Sequence, residues 1–570
     1  MASKGFLLYA FLLGSSFLVA GQQGVRTGFV SPLGGALNLS GNFGEFRSNH
    51  FHTGLDIKTQ GKEGLQIYAI GDGYVSRVRV GPFGYGNALY IDHPNGYTSV
   101  YGHLQSFSAF IDSALVAEQY ARQEWELDWY PEPGSLPVSK GQVVALSGNS
   151  GSSGGPHLHF EIRETITEKP QNPLLWDFAI ADHRAPIVKG IYLIPLSDTT
   201  QINSSSRPFF AKALNTTEKV QIEGAGINTV SGVFGIGIHT IDLLDGNSNS
   251  CGVYEIRLKL DDSLIYVQRM DELDFSTNRF INAHADYAAF KKEKSSIHRT
   301  FRLPYNDLPI YKTIQNDGRI FLTDDDTHSL RFEVYDISGN CSMGSVRIRR
   351  VRREERKEMT YKQMESELCR YNEVNAVRRD SCIAYIPIGR LYDDAMIHIG
   401  ERTSEPGYYS NIYEIGDRLI PLQDKITIRI RSKEVEKGKE DKLVLLRETG
   451  GKYAAQGGEY KLGWVSAEVK EFGNYVIGFD DIPPSIKKQA FELPGSASKG
   501  QIRFTISDNL SGIQRFEAYA DGKWVRMQWD PKRSLLWYSM KDGIVTKDTK
   551  GFVLRVWDER GNMSEWEWKL

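Results

Sequence analysis

The sequence predicts a mainly β, multidomain protein, and three observations carry this prediction. The chain has 570 residues, well beyond the roughly 250–300 at which a single hydrophobic core stops growing. Short stretches of alternating apolar and polar residues recur between glycine-rich turns, which is typical of strands. Hydrophobic residues make up 40% and aromatic residues 11% of the chain, enough to fill several cores.

The N-terminus, MASKGFLLYAFLLGSSFLVAGQQ, has the pattern of a secretory signal peptide. Lys4 precedes an apolar run from Phe6 to about Ala20, which small and polar residues follow. We therefore expect a signal peptide over residues 1–20, cleaved near Ala20 or Gly21, and export to the periplasm, cell envelope or extracellular space. No cysteine lies close to that site, which argues against a lipoprotein anchor, and no later stretch predicts a transmembrane segment.

Charge and cysteine content argue against a nucleic-acid partner and against a zinc site built from cysteines. The 68 basic and 71 acidic residues give a net charge of -3 without a long block of one sign, so no nucleic-acid partner is expected. The four cysteines show no CxxC spacing, which argues against a cysteine zinc site. We expect two disulfides instead, Cys251 with Cys341 and Cys369 with Cys382.

The first domain is expected over residues 21–180, where most chemistry-bearing side chains lie. Pro94-Asn95-Gly96 predicts a tight hairpin turn between two of its short strands. A helical insertion is predicted from about Ser106 to Leu127, as a lid over the sheet or a flank to it. Its apolar residues recur at helical spacing: Phe107, Phe110, Ile111, Leu115 and Tyr120.

The rest of the chain is β-rich and contains an internal repeat. LLDGNSNSCGVYEIRLKLDD parallels ISDNLSGIQRFEAYADG, and LRFEVYDISGNCSMGSVRIR parallels VLRVWDERGNMSEWEWKL. In the first pair each segment has a turn followed by a strand, and in the second pair each segment places an Asp-x-x-Gly-Asn turn between two strands. This plan predicts two related immunoglobulin-like β-sandwich modules, 184–350 and 483–570. Between them we expect a charged linker, 351–382, helical over 351–371, and a further β-rich module, 383–480.

Three short motifs could build a metal site. In the strand GGPHLHFEI, His157, His159 and Glu161 share one face, which suits either a metal site or a polar surface strand. Upstream stand His52 and Asp56, in NHFHTGLDIKT, and His103, in YTSVYGHLQSF. Neutral imidazole and carboxylate form a ligand set that suits zinc. Each histidine alone would more often be structural, but HxxxD, YGHL and HLH in this order indicate a common site.

Residues 40–170 resemble the lysostaphin/LytM-type family of zinc metallopeptidases, which cut peptide bonds in bacterial peptidoglycan. The resemblance implies an antiparallel β metallopeptidase domain with one Zn²⁺, bound by His52, Asp56 and His159, and a fourth position for water. It also implies that His103 and His157 are unliganded catalytic imidazoles, and it leaves open which of them is the general base. Asn149 and Glu161 could support the ligands or be ordinary surface groups.

The resulting expectation is an exported zinc endopeptidase acting on peptidoglycan peptides. A non-catalytic regulator of another hydrolase with the same fold is the alternative, although such a protein should have lost a ligand. A third interpretation makes the chain an adhesion or scaffold protein built from its sandwiches. The insertion at about 105–137 departs from simpler family members and leaves open which bond is cut. The sequence gives no oligomeric state.

Overall fold

A computed structural model describes residues 26–217, 219–223, 226–352, 366–494 and 500–570. The prediction of a mainly β, multi-sheet chain is confirmed. The predicted signal peptide lies outside the described residues. Within the described ranges, no helix combines the length and apolarity needed to cross a membrane.

The N-terminal region is organised around a largely antiparallel nine-stranded sheet. Its strands follow the order Leu39–Gly41, Leu55–Lys58, His157–Glu164, Tyr97–Gly102, Ala88–Asp92, Gly73–Val80 and Leu127–Trp129, with Pro137–Val138 and Pro170–Gln171 added at the side. A three-stranded sheet contains Gln66–Tyr68, Val143–Leu146 and Ser106–Phe107, and a hairpin joins Phe46–Arg47 to His50–Phe51. A short 3₁₀ turn, Pro173–Leu175, follows.

The predicted helical insertion contains helix α1, Ala109–Arg122. The helix is shorter than predicted, because Ser106–Phe107 pairs with Ala145 and Leu146 as a strand. At the other end Gln123 adopts a left-handed conformation and its N–H bonds to the carbonyl of Gln119, which ends the helix. Ile111 and Leu115 on the buried face join the main core.

The first C-terminal module packs two sheets around one core. One sheet contains Val220–Ile222, Phe209–Asn215, Ile187–Pro195, Phe234–Ile241 and Ile297–Arg299. The other contains Gln201–Ile202, Ile227–Ser231, Cys341–Arg350, Thr327–Tyr335, Glu255–Leu260, Ser263–Arg269 and Tyr311–Ile314. Helices α2 (Ile281–His284) and α3 (Tyr287–Glu293) and the 3₁₀ turns Asn278–Phe280 and Gln315–Gly318 complete it. Ile191 and Ile238 of one sheet meet Ile256 and Phe332 of the other.

The second C-terminal module begins earlier than the sequence predicts. Its sheets contain Asn375–Arg379, Cys382–Ile386, Ile426–Arg431, Trp464–Val469 and Glu459–Lys461 in one, and Ile399–Arg402, Ile412–Ile415, Gly473–Phe479, Leu443–Thr449 and Lys452–Ala455 in the other. Glu367–Cys369 pairs with Ala395–Ile397, and Glu440–Lys442 forms a 3₁₀ turn. The predicted helix 351–371 is therefore wrong at its end, because Glu367–Cys369 is a strand. Part of the predicted linker 351–382 also lies in a sheet, because Asn375–Arg379 pairs with Cys382–Ile386. Residues 353–365 of that linker lie outside the described ranges.

The last module pairs two four-stranded sheets. One contains Ser485–Glu492, Gln501–Ser507, Leu535–Tyr538 and Met527–Asp530, and the other Lys523–Trp524, Ile513–Ala520, Gly551–Asp558 and Met563–Lys569. The 3₁₀ turns are Pro531–Arg533 and Met540–Asp542. Residues of both sheets, among them Ile502 and Leu554, share one core.

Two of the modules contact the N-terminal domain directly. Asn42 exchanges two hydrogen bonds with the backbone of Gly252, and Asn278 does the same with the backbone of Phe51. Three phenylalanines that precede His52 share a core with the first C-terminal module: Phe43, Phe46 and Phe51 pack with Met270, Leu273 and Phe280. In the last module, Arg526 donates to the Gln119 side chain of helix α1 at 2.9 Å. The N-terminal domain therefore completes its surface with residues from distant parts of the chain.

The predicted disulfides are wrong, because all four cysteines are free in the structure. Cys251 lies opposite Asp242, whereas Cys341 lies opposite Tyr335 in another pair of strands. Cys369 pairs along the backbone with Ala395, and Cys382 with Arg379 and Ile430. The cysteines therefore give no support to the predicted export.

The thiols are expected to be unreactive until the chain unfolds. Burial is the main influence that raises the pKa of Cys251 to about 12, of Cys369 to about 11 and of Cys382 to about 12, so little thiolate is present at neutral pH. Titration with a thiol reagent in denaturant, without reductant, should find four free thiols, and these three should react slowly in the native protein. Fewer than four reactive thiols under denaturing conditions would show that two of the cysteines form a disulfide.

Candidate functional site

His52, Asp56 and His159 meet on the nine-stranded sheet. Asp56 lies on the strand Leu55–Lys58, directly opposite His159 on the strand His157–Glu164, while His52 stands on the turn that enters the first of these strands. Antiparallel pairing thus brings together residues more than a hundred positions apart. Less than a tenth of the surface of each is exposed.

The candidate ligand atoms form a nearly equilateral triangle. His52 Nε2 lies 3.0 Å from Asp56 Oδ1, and His159 Nδ1 lies 3.1 Å from the same oxygen. The two imidazole nitrogens are 3.1 Å apart. Two ligands of tetrahedral zinc, each about 2.0–2.1 Å from the ion, lie about 3.3–3.4 Å apart. The residues present therefore fit one zinc ion bound by two imidazoles and one carboxylate.

Burial and neighbouring groups keep His52 and Asp56 in the protonation states that can bind a cation. Burial lowers the pKa of His52, so its imidazole is neutral. Burial alone would raise the pKa of Asp56, but the adjacent His52 and hydrogen bonds from His157 and His159 hold it well below its usual range. For His159, hydrogen bonds to Asp56 and Glu161 outweigh burial and raise the pKa to about 9. Metal binding must therefore displace a proton from His159.

Hydrogen bonds from outside the triangle fix how the ligands are oriented. His52 Nδ1 donates to the carbonyl of Asn42 at 2.8 Å, which leaves Nε2 with the lone pair. Asp56 Oδ2 accepts from Arg47 Nη2 at 2.8 Å, which leaves Oδ1 for the metal. Because Asn42 is itself bonded to Gly252, the first C-terminal module helps to position His52.

Glu161 is the most connected group behind the site. Its Oε1 accepts from His159 Nε2 at 2.8 Å, Thr53 Oγ1 at 2.6 Å and Tyr85 OH at 2.5 Å, and its Oε2 accepts from Arg163 Nε at 2.7 Å. The carboxylate is fully buried. It therefore orients His159 so that Nδ1 faces Asp56 and His52, and Arg163 balances its charge.

Replacing Glu161 by Gln should lower zinc affinity by about 10–100-fold, the scale typical for a group that orients a ligand. The variant also leaves Arg163 buried without its partner, so a double variant, Glu161→Gln with Arg163→Met, separates lost orientation from lost stability. Glu164→Gln, at the exposed end of the same strand, is the control. Competition with a zinc chelator measures the affinity, and unchanged affinity in both Glu161 variants would remove Glu161 from the site.

His103 and His157 lie beside the triangle, with ring centroids 4.8 Å apart. His103 Nδ1 donates to the carbonyl of Ser150 at 2.9 Å, and His157 Nδ1 donates to the carbonyl of Gly155 at 2.8 Å. In both rings Nε2 is left for other partners. His157 Nε2 lies 3.4 Å from Asp56 Oδ1. Burial, aided by His159 and His157, lowers the pKa of His103 to about 3, so this imidazole is neutral at physiological pH.

The backbone of His103 is also unusual. His103 directly follows the strand Tyr97–Gly102 and adopts the left-handed backbone conformation, with φ of 60°. This conformation costs energy for most residues and is often found at functional sites.

The last module holds the loop that carries the partners of both histidines. Lys532 Nζ donates to the carbonyls of Asn149 and Ser153, the latter at 3.1 Å. Ser150, between them, accepts from His103, and Ser153 Oγ lies 3.2 Å from His157 Nδ1. Asn149 therefore contacts the last module through its backbone.

The structure brings together the three expected ligands and the two expected catalytic histidines: His52, Asp56, His159, His103 and His157. Glu161 supports a ligand, which is one of the two roles considered for it. Four further residues at the site were not singled out from the sequence: Arg47, Thr53, Tyr85 and Arg163. Arg163 continues the alternation His157, His159, Glu161 along one strand, a signal that could have found it. Tyr85 contacts the site from a turn and Arg47 from the short strand Phe46–Arg47, and the sequence pattern reveals neither approach.

The site and its sheet define a class: an antiparallel β domain with a candidate mononuclear metal centre and two adjacent histidines. Residues 50–118, which include His52, Asp56 and His103, match the model of peptidase family M23. The N-terminal region is therefore an M23 peptidase domain of the LytM type. Residues 366–480 match the model of a Zu5-like domain.

Three characterised proteins are similar to parts of this chain. DD-carboxypeptidase/endopeptidase Mpg of Neisseria meningitidis is 35% identical over 124 residues, 22% of this chain and 22% of that protein. Peptidoglycan DD-endopeptidase ShyB of Vibrio cholerae is 33% identical over 147 residues, 26% and 28% of the two chains. Murein hydrolase activator NlpD of Salmonella typhimurium is 36% identical over 133 residues, 23% and 27% of the two chains. The chain thus spans less than a third of the length of these relatives.

Proposed function

We propose that this protein is a zinc-dependent endopeptidase that hydrolyses peptide bonds in bacterial peptidoglycan. His52, Asp56 and His159 bind the zinc ion, and His103 and His157 act on the reacting groups. The observation that carries the proposal is the convergence of three ligand atoms within 3.1 Å of one another with two further imidazoles beside them.

The chain's own residues prepare the reaction. Zinc, when bound, polarises the scissile carbonyl and lowers the pKa of water to about 7. Asp56 and Glu161 fix the ligand imidazoles. His103 and His157 each hold Nδ1 on a backbone carbonyl, so their Nε2 atoms can accept a proton, stabilise an oxyanion or protonate the leaving amine.

Product analysis of purified peptidoglycan tests this function. The zinc-loaded full-length chain should release soluble fragments whose masses identify a cleaved cross-link or stem-peptide bond, and chelation should stop the release. The full chain is the proper sample, because residues 21–180 alone would expose Phe43, Phe46 and Phe51, which pack on the first C-terminal module. Intact peptidoglycan after incubation with fully zinc-loaded protein would contradict the proposal.

A regulator of another hydrolase is the second candidate, and the similarity to a murein hydrolase activator favours it. Such a protein would release nothing alone and would accelerate release by an added peptidoglycan hydrolase. The complete group of His52, Asp56 and His159 favours the enzyme, since a regulator has no need of three metal ligands.

We also propose that residues 1–20 direct export to the periplasm, cell envelope or extracellular space. The substrate lies outside the cytoplasm, and Lys4 with the following apolar run is typical of a cleaved signal. N-terminal sequencing of the mature protein from the producing cell should find a start near Gly21 or Gln22. A mature chain that still begins at Met1 would contradict cleavage.

A further inference from the structure

A second group of possible metal ligands lies where the N-terminal domain meets the first C-terminal module. Asp182, Asp242 and Asp336 each offer a carboxylate oxygen, and these oxygens lie within 4.8 Å of one another. All three residues are at least nine-tenths buried, and Asp242 is only 2% exposed. Asp182 Oδ2 and Asp242 Oδ1 are buried without a hydrogen-bond partner among the described residues. The nearby Arg184 donates to the carbonyls of Leu244 and Asn247.

The last module contains the same arrangement. Asp480, Asp508 and Asp558 also place one carboxylate oxygen each within 4.8 Å of the others. Asp480 is 1% exposed and Asp558 is fully buried, while Asp508 Oδ1 is buried and has no hydrogen-bond partner among these residues. Ionised carboxylates this close together repel one another unless a cation or a shared proton lies between them.

The two triads occupy equivalent places in the two modules. The first member, Asp182 or Asp480, lies in the segment that enters the module ahead of its first strand. The second, Asp242 or Asp508, directly follows a strand, Phe234–Ile241 in one module and Gln501–Ser507 in the other. The third belongs to the Asp-x-x-Gly-Asn turn that the sequence repeats.

The asparagine of that turn closes both triads in the same way. Asn340 Nδ2 donates to the carbonyl of Asp182 at 3.3 Å and to Asp336 Oδ2 at 2.7 Å. Asn562 Nδ2 donates to the carbonyl of Asp480 at 2.9 Å and to Asp558 Oδ2 at 2.7 Å. The donor amides hold one side of each triad. Asp182 Oδ2 and Asp242 Oδ1 in the first triad, and Asp508 Oδ1 in the second, have no hydrogen-bond partner among the described residues and remain for a ligand. Both oxygens of Asp480 accept from backbone N–H groups.

We propose that each triad binds one Ca²⁺ ion and that the two ions fix each sandwich module to the segment before it. Carboxylate oxygens are the ligands that Ca²⁺ prefers, at about 2.3–2.6 Å, so oxygens that share one ion lie no more than about 5 Å apart. Mg²⁺ requires near-octahedral geometry and retains several waters, which suits these buried sites less well. Zinc prefers nitrogen and sulfur ligands.

Calcium binding to the full-length, zinc-loaded chain tests the proposal. Calorimetric titration should find two Ca²⁺ per chain, and millimolar Ca²⁺ should raise the melting temperature by about 5 °C or more, with a smaller rise for Mg²⁺. Asp242→Asn and Asp508→Asn should each retain one Ca²⁺, because each removes an oxygen that has no other partner. Asp262→Asn, a change at a 96% exposed carboxylate, should retain two.

Several results would overturn the assignment. No Ca²⁺ uptake by the wild-type chain, or an equal rise in melting temperature with Mg²⁺, would contradict calcium sites. If Asp242→Asn does not fold, the wild-type stoichiometry and Asp508→Asn still decide, since two ions on Asp508→Asn would place the binding elsewhere. Zinc content, measured on each sample, should stay constant and keeps this test separate from that of the peptidase site.

Discussion

The His159→Ala variant is expected to lose both zinc and peptidoglycan cleavage while it stays folded. The substitution removes one of the three candidate ligand atoms. The loss in zinc affinity should therefore exceed the loss of about 10–100-fold that is typical when only a supporting group is removed. Glu161 keeps its partner Arg163, and Asp56 keeps Arg47, so no charge is left buried alone. Metal analysis after dialysis and product release from peptidoglycan measure the two losses.

A second buried histidine supplies the matched control. His93 Nδ1 bonds to the carbonyl of Asp72 at 2.9 Å and Nε2 to Ser99 Oγ at 2.8 Å, contacts that satisfy a strand end. His93→Ala should therefore lower the melting temperature and keep zinc. Full zinc on His159→Ala would show that the ion is bound elsewhere, and zinc loss from His93→Ala as well would mean that metal content merely follows stability.

The candidate ligands could be singled out from the sequence because they lie in short local motifs. HxxxD and HLH each fix two or more side chains within a turn or along one strand face, and the order of the motifs suggested the same family as the later comparison. Alternation along the strand His157–Glu164 also placed Glu161 on the same face as His159, and in the structure Glu161 accepts a hydrogen bond from His159. Local periodicity likewise predicted helix α1, although not the strand that precedes it.

Other features depend on contacts that no local pattern encodes. Lys532 contacts the loop beside His103 and His157 from 383 residues away. Phe43, Phe46 and Phe51 belong to a core shared with the first C-terminal module, and nothing in their spacing shows that partner. The disulfide prediction failed for the same reason: cysteine counts do not determine which strands lie side by side, and here backbone pairing separates the four residues.

The His103→Asn variant is expected to keep its zinc and to lose turnover by about a hundredfold or more, the scale of a lost general acid or base. His103 is not one of the three ligands, and its ring centroid lies 5.9 Å from that of His159. Asparagine tolerates the left-handed backbone better than alanine does, so this variant avoids the strain that His103→Ala would add. His157→Ala should lose turnover to a similar extent, with a modest loss of zinc affinity, since His157 Nε2 lies 3.4 Å from Asp56 Oδ1.

Three measurements on one sample separate catalysis from structure at His103. If the imidazole only holds the carbonyl of Ser150, the Asn variant should show a lower melting temperature with turnover nearly intact. If it takes part in proton transfer, turnover should fall while zinc content and KM change little, because the substrate-binding surface and the three ligands remain. Wild-type turnover would remove His103 from the mechanism, and loss of zinc would make it a ligand. Because His103 Nδ1 donates to the carbonyl of Ser150, the Nε2 atom carries the lone pair of the neutral ring and is the atom that proton transfer would use.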